Sequence, residues 1–343
     1  MKVVKSSPHY TEAAEDEIRL LDRVVEKSTN EENSPVVKLL NHFYVRGPNG
    51  KHICMIFEVL GANLLKVIKH YNYMGMPIPL VKVIARQVLE GLRLLHEECG
   101  IIHTDLKPEN ILLSLSPSEM ESIIETLDTA SRDLSSSIER IENIQISSSS
   151  TPVLSAATNI SRSREFSLTM LEGSDYSDLL VKIADLGNGC WVQRHFTNDI
   201  QTRQYRCPEV IIGLPYDTSA DIWSCACLIF ELLTGDFLFE PRTGRRYDKN
   251  EDHVAQMIEL LGKVPKRMIQ QGKYSDEIFN RKYELRHIRS LDNWPLNSVL
   301  QDKYHFSDED AEMIASFLLP MLDYNPKSRA TAADCLKHSW LRS

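Results

Sequence analysis

The sequence predicts an α+β chain of two lobes, a small β-rich one followed by a larger, mainly α-helical one, and three observations carry this reading. Strand-like runs prevail before about Leu60, helical periodicity prevails from Pro79 onward, and a serine-rich stretch interrupts the second part. With 343 residues, 42% hydrophobic and 25% charged, the chain has apolar content for two modest cores.

Taken in order, Val3-Val4 is strand-like, and apolar positions recur at helical spacing from Glu12 to Val25. Val36 to Val45 and His52 to Val59 read as two strands joined by a turn at Gly47-Pro48-Asn49-Gly50. Val83 to His96, Ala220 to Thr234 and Asp308 to Leu322 read as amphipathic helices. From Ser114 to Leu180 there are 18 serines in 67 residues and no sustained apolar stripe. Such a composition cannot bury enough surface to offset the entropy of ordering it, so most of the stretch is expected to be a disordered insertion. Short helices around Ser118 to Thr126 and Ile138 to Ile146 are compatible with the pattern.

Composition excludes several function classes. The longest apolar runs, such as Cys225 to Phe230, fall far short of the ~20 residues that span a bilayer, and no signal-peptide pattern opens the chain, so it is expected inside the cell. Seven cysteines without a CxxC pair read as buried thiols and not as a metal or redox site. A formal charge of -9 argues against a nucleic-acid backbone and favours a basic partner.

The chemistry concentrates in Ile101-Ile102-His103-Thr104-Asp105-Leu106-Lys107-Pro108-Glu109-Asn110 and, far downstream, Lys182-Ile183-Ala184-Asp185-Leu186-Gly187. They supply an Asp, a Lys, an Asn and a second Asp in the order that phosphoryl transfer from a metal-bound nucleotide requires. Asp105 can accept a hydroxyl proton, Lys107 can neutralise the moving phosphate, and Asn110 and Asp185 can hold Mg²⁺. Lys2, at the start of a strand, and Glu17, in the next helix, can form the ion pair that turns a lysine onto the α- and β-phosphates of ATP. Phe57 would guard an adenine pocket, with the Glu58 carbonyl and the Leu60 backbone bonding the ring.

The motifs resemble those of protein kinases. Thr104 stands where an Arg commonly precedes the catalytic Asp and gathers an activation-segment phosphate, so activity without that phosphorylation is expected. The segment from Asp185 to Glu209 is 25 residues long. Within it Thr202 is placed to bond Asp105 and Lys107, Arg203, Tyr205 and Arg206 shape the substrate surface, and Glu209 is expected to pair with Arg329. Asp221 reads as a buried carboxylate receiving backbone N–H groups of the loop that begins at His103; a helix N-cap is the plainer alternative.

Among protein kinases, the chain resembles the SR-protein kinases, which phosphorylate serines in Arg/Ser-repeat domains of splicing factors. The resemblance rests on Met1-Lys2-Val3-Val4-Lys5-Ser6, Phe57-Glu58-Val59-Leu60-Gly61, the His103-Thr104-Asp105 loop, Gln201-Thr202-Arg203-Gln204-Tyr205-Arg206, Thr234-Gly235-Asp236, Glu251-Asp252-His253 and Arg286-His287-Ile288. It implies a bilobal eukaryotic protein-kinase fold, ATP and Mg²⁺ as cofactors, and Arg/Ser-rich SR splicing factors as partners. It also implies regulation of mRNA splicing, residence in cytoplasm and nucleus governed by the spacer, and a monomer with no direct nucleic-acid or membrane contact. An acidic docking groove is implied at Asp236, Asp252 and Glu259, with Lys303 nearby. The expected organisation is a partial small lobe at 1–60, the start of the large lobe with the catalytic loop at 61–113, the spacer at 114–180, and the rest of the large lobe at 181–343. The family carries two strands and a glycine-rich loop ahead of the lysine strand, whereas here Met1 directly precedes Lys2. The small lobe is therefore expected to lack its first two strands, with Lys2 on a frayed end and nucleotide affinity impaired. The competing reading is a weak or inactive pseudokinase that docks Arg-rich partners.

Overall fold

The computed structural model describes residues 1–28, 34–116, 118–126, 128–129, 171 and 175–342. In the small lobe, β1 (Lys2–Val3) and β2 (Leu39–Gly47) both pair antiparallel with β3 (Gly50–Phe57), giving the order β1-β3-β2. Gly47 faces Gly50 across the turn that the sequence marks. Gly50 sits at φ 113°, where an added Cβ would meet Ser6 Oγ at 2.2 Å, so only glycine closes this hairpin. The helix α1 (Pro8–Lys27) starts one turn before its apolar stripe, because Pro8 occupies the first turn, where a missing N–H costs nothing. Its buried face, Ala14, Glu17, Ile18, Leu21 and Val24, covers the sheet.

Two residues link β3 to β4 (Leu60–Asn63), and β4, β6 (Ile111–Ser114) and β7 (Val181–Ile183) form a second antiparallel sheet. A third, two-stranded sheet pairs β5 (Ile101–Ile102) with β8 (Cys190–Trp191). The loop from His103 to Asn110 runs from β5 to β6 and the segment from Ala184 onward runs from β7 to β8, so the pairings of β6 with β7 and of β5 with β8 hold the two side by side. Helix α2 (Leu64–His70) follows β4, and α3 (Ile78–Arg93) continues into a wider π turn at Leu94–Cys99 that Gly100 ends at φ 69°.

The helix α4 (Pro208–Ile212) precedes α5 (Ser219–Thr234), and every residue of α5 is buried. This corrects the amphipathic reading: a helix apolar on all sides is the centre of a lobe and not its wall. Near the carboxyl end, the predicted helix from Asp308 stops at Leu318, where Pro320 tightens the chain into a 3₁₀ turn.

The expected spacer keeps the short helix its pattern allowed but ends sooner than residue 180. Residues 118–126 are helical, and Leu171, Tyr176 and Leu179 are buried in the core. Gln87 donates to the Leu179 carbonyl at 2.7 Å and accepts from the Val181 N–H at 2.8 Å, so the large lobe resumes before residue 181. The rest of the stretch, including Ile138 to Ile146, lies outside the described residues.

Lys2 is not frayed: it pairs with Met55 in β1. Val3, Leu40, Phe43 and Val45 of this sheet are exposed. All seven cysteines are buried thiols, and no described helix is long and apolar enough to cross a membrane.

Candidate active site

Three sequence-predicted residues gather at Asp105, two on its carboxylate and one on its backbone carbonyl. Asp105 Oδ1 accepts from the Thr202 N–H at 3.1 Å and from Thr202 Oγ1 at 2.7 Å, while Oδ2 accepts from Lys107 Nζ at 2.6 Å. Lys107 Nζ also donates to Thr202 Oγ1 at 3.0 Å, closing a triangle. Asn110 Nδ2 donates to the Asp105 carbonyl at 2.9 Å. The Ala184 N–H reaches the Asn110 carbonyl at 2.8 Å, and His103 Nε2 lies 3.0 Å from the Ala184 carbonyl. These bonds tie the loop to Asp185 next door.

The loop is strained and braced. Thr104 sits at φ 68° and Asp185 at φ 63°, left-handed positions that cost a non-glycine residue about 1–2 kcal/mol each. Asp221, fully buried, accepts from the His103 N–H at 2.8 Å, the Thr104 N–H at 2.9 Å and His96 at 2.8 Å. It therefore braces the loop directly and does more than cap α5. Burial works against its charge, but these bonds prevail and hold its carboxyl below the usual carboxylate range. Thr104 Oγ1 donates to the Asn188 carbonyl at 2.7 Å, joining the loop to the segment after Asp185.

From the small lobe, Lys2 Nζ donates to both Glu17 oxygens, at 2.8 and 2.7 Å, and lies 3.7 Å from Asp185 Oδ1. Burial pushes the Glu17 carboxyl up despite Lys2. A Cβ on Gly187 would meet Asp185 Oδ1 at 3.2 Å, Glu17 Oε2 at 3.4 Å and Lys2 Nζ at 3.5 Å. Gly187 therefore lies against all three charged groups, with only the Asp185 approach tight for a side chain. Among the described residues no group of three or more His, Cys, Asp or Glu side chains could hold a metal. One exposed carboxylate and one amide instead suit Mg²⁺, which keeps waters and substrate phosphates as its remaining ligands.

A protein kinase domain model matches residues 1–125 and 169–341. The serine/threonine-protein kinase SRPK of Physarum polycephalum is 48% identical over 353 residues, covering 99% of this chain and 79% of the relative. Protein kinase dsk1 of Schizosaccharomyces pombe is 41% identical, covering 100% and 75%, and human SRSF protein kinase 3 is 38% identical, covering 99% and 81%. The chain belongs to the SR-protein kinase family. It has the bilobal α+β protein-kinase fold and is a serine/threonine protein kinase; that domain uses ATP and a divalent metal.

In this kinase the segment before Glu209 is held by its own side chains. Arg206 pairs with Asp199 at 3.1 Å and donates to the Gln201 carbonyl at 2.8 Å. Buried Gln201 bonds the Ala220 carbonyl, Ser224 and the Cys207 N–H. Glu209 and Arg329 form a fully buried fork at 2.7 and 2.8 Å.

The implied docking residues are present but already partnered. Asp236 accepts from Lys303 at 3.0 Å and from the Tyr304 hydroxyl at 2.9 Å. Asp252 and Glu259 stand seven residues apart on α6 (Lys249–Leu261), two turns along one face. Asp252 accepts from the Arg242 N–H and Gln256, and Glu259 from the Asp292 N–H. At the lobe junction Phe57 is half-buried and Leu60 opens β4, but the Glu58 side chain is turned to Lys182.

Sequence reasoning missed three pairs. Buried Glu251 accepts from the His287 and Ile288 N–H groups, joining α6 to a segment 36 residues on. Glu58–Lys182 and Tyr205–Glu231 had no short-range signal.

The last pair carries a pH prediction. Tyr205 donates a short hydrogen bond to Glu231, whose carboxyl is pushed up to about 7, chiefly by burial and further by Glu109. A carboxyl raised in the fold favours the protonated form. Its contribution is full below the unfolded value of 4.5 and is lost as pH rises through 7. Between pH 6 and 8 this amounts to about 1 kcal/mol. Buried His253, held down to about 3 by burial, acts in the opposite sense within the same window, adding stability as pH rises through 6.5. From pH 6 to 8, urea midpoints should therefore rise more in Glu231→Gln than in the unaltered chain, by the equivalent of about 1 kcal/mol; equal slopes would contradict the assignment.

Proposed function

We propose that this kinase transfers the γ-phosphoryl group of ATP to serines of Arg/Ser-rich proteins of the splicing-factor type, and thereby regulates mRNA splicing. The observation that carries the transfer step is the Asp105–Lys107–Thr202 triangle. Oδ1 of Asp105 already accepts two bonds and Oδ2 only one, so Oδ2 keeps room for the hydroxyl of an incoming serine and its proton. Lys107 stands beside that hydroxyl, where it offsets charge as the phosphoryl group moves. Asn110 spends its N–H₂ group on the Asp105 carbonyl, which leaves its amide oxygen for a metal shared with Asp185. Lys2, oriented by Glu17, reaches the α- and β-phosphates. The Glu58 carbonyl and Leu60 backbone bond the adenine, with Phe57 behind them. Bound Mg²⁺ neutralises the phosphates and aligns them for in-line attack.

The substrate class is supported by the acids Asp236, Asp252 and Glu259, since carboxylates spaced along a surface match guanidinium groups bidentately. The name of human SRSF protein kinase 3 points the same way. Lys303 and Tyr304 occupy Asp236 until an arginine displaces them. The chain acts as a monomer, without nucleic acid or membrane in the reaction.

The test is phosphate incorporation from labelled ATP with Mg²⁺ into an Arg/Ser repeat peptide and into its Lys/Ser counterpart. A rate at least about tenfold higher for the arginine peptide is expected, because a lysine cannot make the two-pronged contact. Its KM should rise with salt, since exposed charges are screened. Equal rates for the two peptides would refute the substrate class.

A further inference from the structure

Glu58 lies in the two-residue link between β3 and β4, where the small lobe joins the large one. Its Oε1 accepts from the Lys38 N–H at 2.8 Å and from Lys182 Nζ at 2.9 Å, and its Oε2 accepts from Lys182 Nζ at 2.8 Å. Lys182 is the middle residue of β7, and its side chain is 6% exposed against 23% for Glu58. On one side β7 pairs with β6, Lys182 standing opposite Leu112. On the other, Ile183 exchanges backbone bonds with Pro35 and Val37 at 2.9 and 2.8 Å. Three residues beyond Lys182 comes Asp185. One carboxylate therefore fastens the interlobe link at both ends, to the entry of β2 and to the strand that delivers Asp185.

Stability alone does not call for charges here. A buried ion pair rarely outperforms apolar side chains of the same volume, because desolvation offsets the attraction. What the pair adds is direction. A carboxylate gripped from two sides leaves the Glu58 backbone little rotation, and that backbone faces the adenine. We infer that the Glu58–Lys182 ion pair positions the interlobe link for nucleotide, setting ATP affinity through backbone geometry without touching ATP. This rests on the proposed ATP site.

The experiment uses the full chain and measures the Kd of ATP with Mg²⁺ by calorimetry, together with KM for ATP, kcat and Tm. Lys182→Met removes the pair but leaves Glu58 bonded to Lys38 and partly hydrated. It should raise Kd and KM for ATP about five- to tenfold, a coupling of ordinary size, with kcat at saturating ATP within about twofold. Lys182→Arg, which keeps the charge, should restore affinity to within about twofold of the unaltered chain. A merely structural role would lower Tm and leave Kd and KM where they were, and that result overturns the inference. Should Lys182→Met fail to fold, the Lys182→Met/Glu58→Gln double variant carries no buried charge, and unchanged affinity in it is equally decisive against the inference. Failure of the unaltered chain to bind ATP overturns the proposed function instead, and the inference with it.

Discussion

Asp105→Asn is expected to lower kcat by about a thousandfold or more, the scale at which a lost proton acceptor acts. The substitution is nearly isosteric. An amide oxygen at the Oδ1 position still accepts from the Thr202 N–H and Oγ1, now 3.1 and 2.7 Å away, so the loop should keep its shape. At the Oδ2 position the amide N–H₂ meets the Lys107 ammonium, which now donates there at 2.6 Å, so two donors face each other and the lysine swings away. Both the proton acceptor and the aligned cation are lost together. The docking acids lie elsewhere, so the affinity for an Arg/Ser peptide, read by fluorescence anisotropy, should change by less than about twofold. Single-turnover measurement at saturating ATP isolates the chemical step. A fall of less than about tenfold would mean that Asp105 orients the loop without taking the proton.

Local chemistry was legible in the sequence, and distant pairing was legible only where a motif implied it. The order Asp105, Lys107, Asn110, Asp185 could be read because each residue lies in a short motif that names its own chemistry; the pairing of β6 with β7 that brings the motifs together had no such signal. The contact of Lys2 with Glu17, 15 residues apart, followed from a strand leading into a helix. The Glu58–Lys182 pair spans 124 residues and falls on two positions that each look like solvated charge. No periodicity or spacing links them, so only coordinates could join them. Helix ends were misjudged where proline decided: Pro8 lets α1 begin before its apolar stripe, Pro79 sits in the first turn of α3 so that the helix starts five residues ahead of Val83, and Pro320 ended a pattern that ran on. The buried character of α5 was present in its composition, since its polar residues, Ser219, Asp221, Ser224, Glu231 and Thr234, are few and each is bonded internally. The serine-rich composition concealed the return of Tyr176 and Leu179 to the core, because a few apolar residues at the edge of a polar tract do not alter its average.

Glu209→Ala should cost roughly 3–5 kcal/mol, the penalty for stranding a buried charge. Both side chains are fully enclosed, and Arg329 arranges four donations around itself. Two go to Glu209 at 2.7 and 2.8 Å, one to the Ser219 carbonyl and one to the Asp323 carbonyl at 2.9 Å each. Its guanidinium also lies 5.2 Å from the Trp223 ring. Alanine would leave that cation beside two carbonyls and an aromatic face with no counter-charge, and water has no route to it. Calorimetry should show a Tm lower by roughly 5–12 °C. Arg329→Lys keeps a positive charge but cannot reach Glu209, Ser219 and Asp323 at once, so it should fall between the two. Glu209→Ala/Arg329→Met removes both charges and should lose less than Glu209→Ala alone, since neither partner is stranded. The damage should also reach the chemistry. Glu209 stands in the first turn of α4, Ser219 opens α5, and two residues on is Asp221, the brace under His103 and Thr104. Loosening the fork frees the start of α5, and the strained Thr104 and Asp185 backbones lose what holds them. kcat should therefore fall in Glu209→Ala even well below its Tm, and recover in part in the double variant. If the double variant proves less stable than Glu209→Ala, the pair stabilises by its own attraction and not by avoiding an orphaned charge.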